Sequence, residues 1–168
     1  MHNEINIRHD LHPGDLGRLI ALHGTAYEGE DNHFGLVFEA YVARTIAEYI
    51  LDNKGQGRIW FAERADKLLA TAAMVRRETA SAPNDAHGQL RWILADPSAR
   101  GLGLGKTLVN TAMDYARTEG FSEVFLETTE GLEASMSIYR ALGFQEVSRE
   151  TQNLWLGENT VITMTKKL

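Results

Sequence analysis

The chain has 168 residues, enough for one domain around one core, and its 17 Lys and Arg against 23 Asp and Glu leave a formal charge of −6. That balance speaks against a general binder of nucleic-acid backbones, which presents a basic face, so no nucleic-acid partner is expected; it mildly favours a cationic or amine substrate. The absence of Cys excludes disulfides, Cys-ligated zinc and a thiol nucleophile, and with no apolar run near the roughly 20 residues of a membrane span and a polar start, Met1–Asp10, the expectation is a single cytoplasmic domain over residues 1–168 with no membrane partner.

Glu4–Arg8 alternates in polarity and predicts a strand. Pro13-Gly14-Asp15 opens a helix with Leu16, Leu19, Ile20 and His23 on one face. Gly24–Asn32 is a glycine- and acid-rich break. The strongest helical pattern follows, with apolar residues from Phe34 to Ile50 at three-and-four spacing; such a stripe ordinarily means core packing. "RIWFAER" (Arg58–Arg64) and "LLATAAMVRRE" (Leu68–Glu78) predict a hairpin, and polar Thr79–His87 predicts a loop. "QLRWILA" (Gln89–Ala95) is a third strand, stopped at Asp96-Pro97 because proline offers no N–H. A helix from Leu104 ends at Gly120, a strand spans Phe121–Thr128, and a helix spans Glu133–Leu142 up to Gly143. Phe144–Trp155 and Thr160–Lys167 are terminal strands joined through Gly157–Asn159. Meandering strands followed by strand–helix–strand units predict an α/β (α+β) domain, a mixed sheet with helices packed on it.

The chemistry centres on "ARGLGLGKT", Ala99–Thr107. A Walker A loop requires glycine at position 100, where Arg stands, so the loop is one residue short for ATP. A dinucleotide fingerprint requires a third glycine at position 106, where Lys stands. The remaining physics is still specific. Glycines admit close backbone approach, the first amides of a helix lack intrahelical partners, and the helix dipole adds partial positive charge beside Arg100 and Lys106. The loop is therefore expected to bind a phosphate or pyrophosphate. The plain alternative is a glycine-rich connection with two solvated cations.

Arg100-x-x-Gly103-x-Gly105 resembles the R/Q-x-x-G-x-G/A motif of the GCN5-related N-acetyltransferases (GNAT), and "IYRALGF" (Ile138–Phe144) resembles that family's second signature, a helix tyrosine before a glycine–phenylalanine turn. "HPGDLGRLIALHGTAYEGE", "FEAYVARTIAEY" and "LRWILADPSARGLGLGKTLV" look like the acetyltransferase half of proteins that fuse a MarR-type regulator to this fold. The resemblance implies the GNAT fold: a mixed, mostly antiparallel central sheet of about seven strands with helices on both faces. It implies an N-acetyltransferase that moves an acetyl group from acetyl-CoA, its co-substrate, to a primary amine by direct attack in a ternary complex. No covalent enzyme intermediate and no metal are implied.

By the same resemblance, Arg100, Gly101, Leu102, Gly103, Leu104, Gly105 and Lys106 cradle the pyrophosphate of the cofactor. Ile93 and Leu94 pair through backbone with the pantetheine arm, beside a slot where their strand splays from the next. An N–H near Leu94 is placed to polarise the thioester carbonyl. Tyr139 is the candidate general acid for the leaving thiolate, since a phenol near pKa 10 lies close enough to a thiol near 8.5. Glu127 is the candidate base, acting directly or through water, and a water relay without a single base is the alternative. Glu28, Glu30 and Asp31 are candidates to line the acceptor site, with His23 and His33 nearby in sequence; for each a surface role is the ordinary reading. Tyr27, Trp92 and Trp155 are candidates for an aromatic wall, although such residues more often belong to a core. The family often carries Asn and Ala where this chain has Leu132 and Ser135. The acceptor is a small-molecule or protein amine, and the terminal strands are where a homodimer would pair, as is common in the family. The competing functional reading is a non-catalytic acyl-CoA-binding or sensing module on the same fold.

Overall fold

The computed structural model describes residues 4–26, 35–52, 56–79, 82–155 and 157–168. Its elements run β1 (Ile5–Arg8), α1 (Asp15–Thr25), α2 (Gly35–Leu51), β2 (Gly57–Arg64), β3 (Lys67–Thr79), β4 (Ala82–Ala95), α3 (Leu104–Thr118), β5 (Glu123–Thr129), α4 (Glu133–Ala141), β6 (Gln145–Leu154) and β7 (Gly157–Lys167), with a 3₁₀ turn at Pro97–Ala99 after β4. The strands form one seven-stranded sheet in the order β1-β2-β3-β4-β5-β7-β6. Among the described residues only β4 and β5 pair in parallel; every other neighbour is antiparallel.

Helices cover both faces because the long central strands alternate between two apolar sets. Leu69, Ala72 and Met74 of β3 join Leu108, Ala112 and Met113 of α3 and Met136 of α4 in one core. Leu68, Ala73 and Val75 of the same strand join Leu19 and Leu22 of α1 and Val42, Ile46 and Tyr49 of α2 in the other. A strand buried on both faces cannot slip register without exposing one set, which fixes the sheet centre.

An ion cluster ties the edge strand to the first helix. Arg8 Nη2 meets Asp15 Oδ1 at 2.7 Å, Arg8 Nε meets Glu63 Oε2 at 3.0 Å, and Arg18 Nη1 meets Glu63 Oε1 at 2.8 Å. Asp15 also accepts the His12 amide at 2.7 Å. The Arg8 guanidinium, with that amide and Arg18, holds the Asp15 carboxyl below its ordinary value.

Three expectations are corrected. The predicted loop Thr79–His87 is largely strand, because β4 begins at Ala82 and pairs back through His87 with Arg77. The polar composition misled there: a hairpin tip near the sheet end needs no apolar face. The predicted connection at Gly157–Asn159 is the start of β7, and the reversal comes earlier, at Trp155 with its positive φ of 53°. The α2 stripe is also not uniform core. Its C-terminal half, including Ile46 and Tyr49, is buried, whereas Val37 is 50% exposed.

Candidate active site

The sheet opens between β4 and β5. Their parallel register runs from His87↔Glu123 to Leu90↔Leu126 and stops, although β4 continues to Ala95 and β5 to Thr129. Beyond Leu90 the facing edges of both strands lose their ladder partners, and such backbone groups seek hydrogen bonds elsewhere. A β-bulge accompanies the parting. The β3–β4 register steps from Thr71↔Leu94 to Ala73↔Arg91, one residue longer on β4, and Trp92 takes φ 46°. The Thr71 hydroxyl secures the bulge by donating to the Trp92 carbonyl at 2.7 Å in a buried setting. A bulge bends its strand and re-aims side chains; here Arg91 and Trp92 both turn to the α1–α2 side.

A cavity of about 710 Å³ occupies the opening. Gln89–Ile93 of β4 line one side and Leu126–Thr129 of β5 the other. Leu132, the N-cap of α4, with Ser135 and Tyr139 of one α4 face, closes one end. His23, Phe38, Tyr41 and Arg44 of α1 and α2, with Gln152–Trp155, close the other. Tyr139 is 5% exposed and its ring meets Phe144 edge-on, centroids 6.1 Å apart. Glu127 is an exposed residue on the β5 lip. Phe38 and Tyr41 pack on Trp155 at centroid distances of 4.8 and 5.9 Å, an aromatic wall at that end of the cavity.

The glycine loop lies on the open surface just after β4. Asp96 shapes the turn into it, accepting from the Ser98 amide at 2.8 Å and from Lys67 Nζ at 3.3 Å. The Ser98 contacts, followed by Lys67, hold the Asp96 carboxyl below its ordinary value. Gly103 is the N-cap of α3 with φ 69°, a conformation that favours glycine, and no side chain caps the helix. The first helical amide bond is Thr107 to the Gly103 carbonyl at 3.0 Å, so the amides of Leu104, Gly105 and Lys106 precede the intrahelical ladder. A Cβ on Gly105 would meet only Ile138 Cδ1, at 3.6 Å, an ordinary contact. Packing alone therefore does not demand glycine there. An open glycine beside three uncapped amides suits an anion that comes close to the backbone.

The structure thus brings Ile93, Glu127, Ser135 and Tyr139 to one cavity, and places Arg100–Lys106 beyond its β4 end, outside the lining. Leu94 pairs with Thr71 and packs against the α1–α2 core. Trp92 touches the cavity, but the residue is 7% exposed, and its ring meets Tyr49 edge-on at 5.6 Å and donates its indole N–H to Thr45 at 3.3 Å. Glu28 and Glu30, with Tyr27, Asp31 and His33, lie outside the described residues. His23 is the residue whose ordinary surface reading fails. It is 4% exposed, and burial drives its pKa down to about 4. Its Nδ1 lies 2.9 Å from the Leu19 carbonyl, so the neutral ring donates there and leaves Nε2 as an acceptor. The signal was present, since His23 falls on the apolar face of α1 with Leu16, Leu19 and Ile20.

Among the described residues, no three His, Asp or Glu side chains gather to hold a metal ion. None of the described helices is long and apolar enough to cross a membrane.

Comparison with known proteins gives a consistent result. Human N-acetyltransferase 8B is 30% identical over 96 residues, 57% of this chain and 42% of its own length. Rat N-acetyltransferase 8F1 is 30% identical over 122 residues, 68% of this chain and 54% of its own. The chain thus spans about half the length of these curated relatives. Among solved structures, an N-acetyltransferase from Staphylococcus aureus superposes with a TM-score of 0.76 at 18% identity, covering 98% of each chain. The Salmonella typhimurium protein yncA, solved with its cofactor acetyl-CoA, gives 0.72 at 17% identity, covering 99% of this chain and 95% of that one. At such identities the structures share the fold. Residues 24–144 match the Acetyltransferase (GNAT) family, and the chain belongs to that family.

Proposed function

We propose that the protein transfers an acetyl group from acetyl-CoA to a primary amine by direct attack in a ternary complex. The observation that carries this reading is the parting of β4 from β5 beyond Leu90 and Leu126, with a cavity in the gap that Tyr139 faces. The unpaired β4 edge around Ile93 and Leu94 suits the amide-bearing pantetheine arm. The amides of Leu104–Lys106, with Arg100, Gly101 and Leu102 before them, suit the pyrophosphate. Ser135 lies one helical turn from Tyr139, on the same cavity-facing side of α4.

The chemistry then follows from placement. An amine enters from the α1–α2 side and must shed a proton, since an alkylammonium with pKa near 10 has no lone pair to give. Glu127 takes that proton directly or through water. The nitrogen attacks the thioester carbonyl carbon, whose developing oxyanion an amide near Leu94 stabilises. The C–S bond breaks, the attacking nitrogen gives its remaining extra proton to water, and Tyr139 protonates the leaving sulfur and recovers its proton from solvent. Holding amine and thioester together supplies much of the acceleration, because the encounter is made unimolecular.

The cytoplasm is the compartment we assign, and a homodimer through the terminal strands is the assembly we expect. The resemblance to the acetyltransferase half of MarR-type fusions rests on the sequence segments alone. The test is thiol release from acetyl-CoA in the presence of a panel of amines. Amine-dependent release upholds the reading. Tight CoA binding with no release for any amine supports the sensing module instead.

A further inference from the structure

The charges that face one another across the split lips are arranged for a particular acceptor. Arg91 and Glu127 are the first residues past the last β4–β5 pair, Leu90↔Leu126. Leu90 and Leu126 both belong to the α3–α4 core. Alternation therefore turns Arg91 and Glu127 to the other face, toward α1 and α2. Both line the main cavity, a cation on one lip and an anion on the other.

Arg91 is not spent on a structural ion pair among the described residues. Among the described residues its polar contact is Nη2 to the Tyr41 hydroxyl at 3.3 Å, and its guanidinium lies 5.0 Å from the Trp92 ring centroid. Arg77, behind it on β3, donates from Nε to Gln89 Oε1 at 2.9 Å. Burial and then the nearby Arg91 lower the pKa of Arg77, so two cations crowd one another. The acids on that side, Glu48 and Asp52, share with both arginines a separate hollow of about 180 Å³, and Glu48 engages Arg44 at 3.7 Å. Among the described residues lining the main cavity, Arg44 and Arg91 are cationic and Glu127 is the sole carboxylate. A crowded guanidinium facing a cavity gains most from a carboxylate, which it grips with two parallel hydrogen bonds.

We propose that the acceptor is an amino acid with a large apolar side chain: Arg91 holds its carboxylate, its amino group lies toward Glu127, and the wall of Phe38, Tyr41 and Trp155 takes the side chain. The proposal rests on the transferase reading above and names its substrate class. It narrows the cationic or amine substrate that the acidic composition mildly favours, because local charge at the lips outweighs the net charge of the surface.

The experiment compares L-phenylalanine, L-phenylalaninamide and phenethylamine as acceptors by thiol release. Phenylalanine is expected to exceed both others in kcat/KM by about tenfold or more, the scale of a charged hydrogen bond. Arg91→Gln is expected to collapse that ratio toward one, and Arg91→Lys to restore part of it. CoA affinity, measured in all three proteins, reports that the fold is intact. Equal or better use of phenethylamine, or a ratio unchanged in Arg91→Gln, overturns the proposal and leaves the transferase reading standing. If none of the amines turns over, calorimetric binding of N-acetylphenylalanine to the CoA-bound protein decides. Binding that Arg91→Gln abolishes upholds the carboxylate site, and no binding overturns it. Failure to bind CoA takes down both readings.

Discussion

Acidification should destabilise this protein through one identifiable side chain, His23. Its folded-state pKa is about 4 against an ordinary 6.5, because burial disfavours the imidazolium and the single bond to the Leu19 carbonyl does not offset it. Between those two values the unfolded chain binds a proton that the native state refuses, so stability falls as pH falls. The contribution is fully present above pH 6.5 and lost progressively toward pH 4. Linkage gives a loss of about 2 kcal/mol at pH 5 and about 3 kcal/mol at pH 4. Asp15 and Asp96, whose folded pKa values are depressed, also remove stability as pH falls, but at the lower pH where carboxylates titrate. A difference measurement isolates the histidine. Urea unfolding of wild type and His23→Leu, at half-unit steps from pH 7.5 to 5, should show the stability gap between them shift by about 2 kcal/mol in favour of the variant. A gap that stays constant over that range refutes the buried, neutral His23 and the acceptor role of its Nε2.

Tyr139→Phe should lower turnover by roughly 10²- to 10⁴-fold while CoA affinity stays within about tenfold, read by thiol release and calorimetry; an unaffected rate removes the general-acid assignment. Gly103→Val must place a β-branched residue at φ 69° and should cost about 1–2 kcal/mol in urea unfolding, together with weaker CoA binding. Arg8→Met removes the cation that Asp15 and Glu63 share most closely but leaves Arg18 beside both, so it should cost less than the roughly 3–5 kcal/mol of a fully unpaired buried charge, with Asp15→Asn in the Arg8→Met background adding little if the cluster acts as a unit. Thr71→Val removes the bond to the Trp92 carbonyl and should raise the KM for acetyl-CoA, through a relaxed bulge, more than it lowers stability; equal CoA kinetics would detach the bulge from cofactor binding.

The order of elements was legible because local signals set it. Glycines at 120 and 143 and the Asp96-Pro97 stop mark where chain direction must change, and three-and-four spacing marks α1, α2 and α3. The start of α3 at the glycine loop was legible for the same reason: an uncapped helix start is a local property of Gly103–Lys106. What could not be read is what depends on partners distant in sequence. The bulge at Trp92 needs Thr71 on the neighbouring strand, and the gap beside it needs the β5 register. Arg91 faces α2 by alternation from Leu90, but that the next residue, Trp92, shares its side follows from the bulge, which the strand "QLRWILA" alone does not show. His23 shows the reverse case, in which helical periodicity indicated burial and the habit of placing histidine at the surface overrode it. The aromatic wall joins Phe38 and Tyr41 to Trp155, more than a hundred residues further along the chain, and no spacing rule joins them.

The most direct measurement is a crystal structure of the protein grown with CoA. The account predicts the pantetheine arm running between β4 and β5 past Ile93, its sulfur near the Tyr139 hydroxyl, and the diphosphate against the amides of Leu104, Gly105 and Lys106. Coenzyme bound elsewhere, or a gap beyond Leu90 closed by β5 pairing in the crystal, contradicts it.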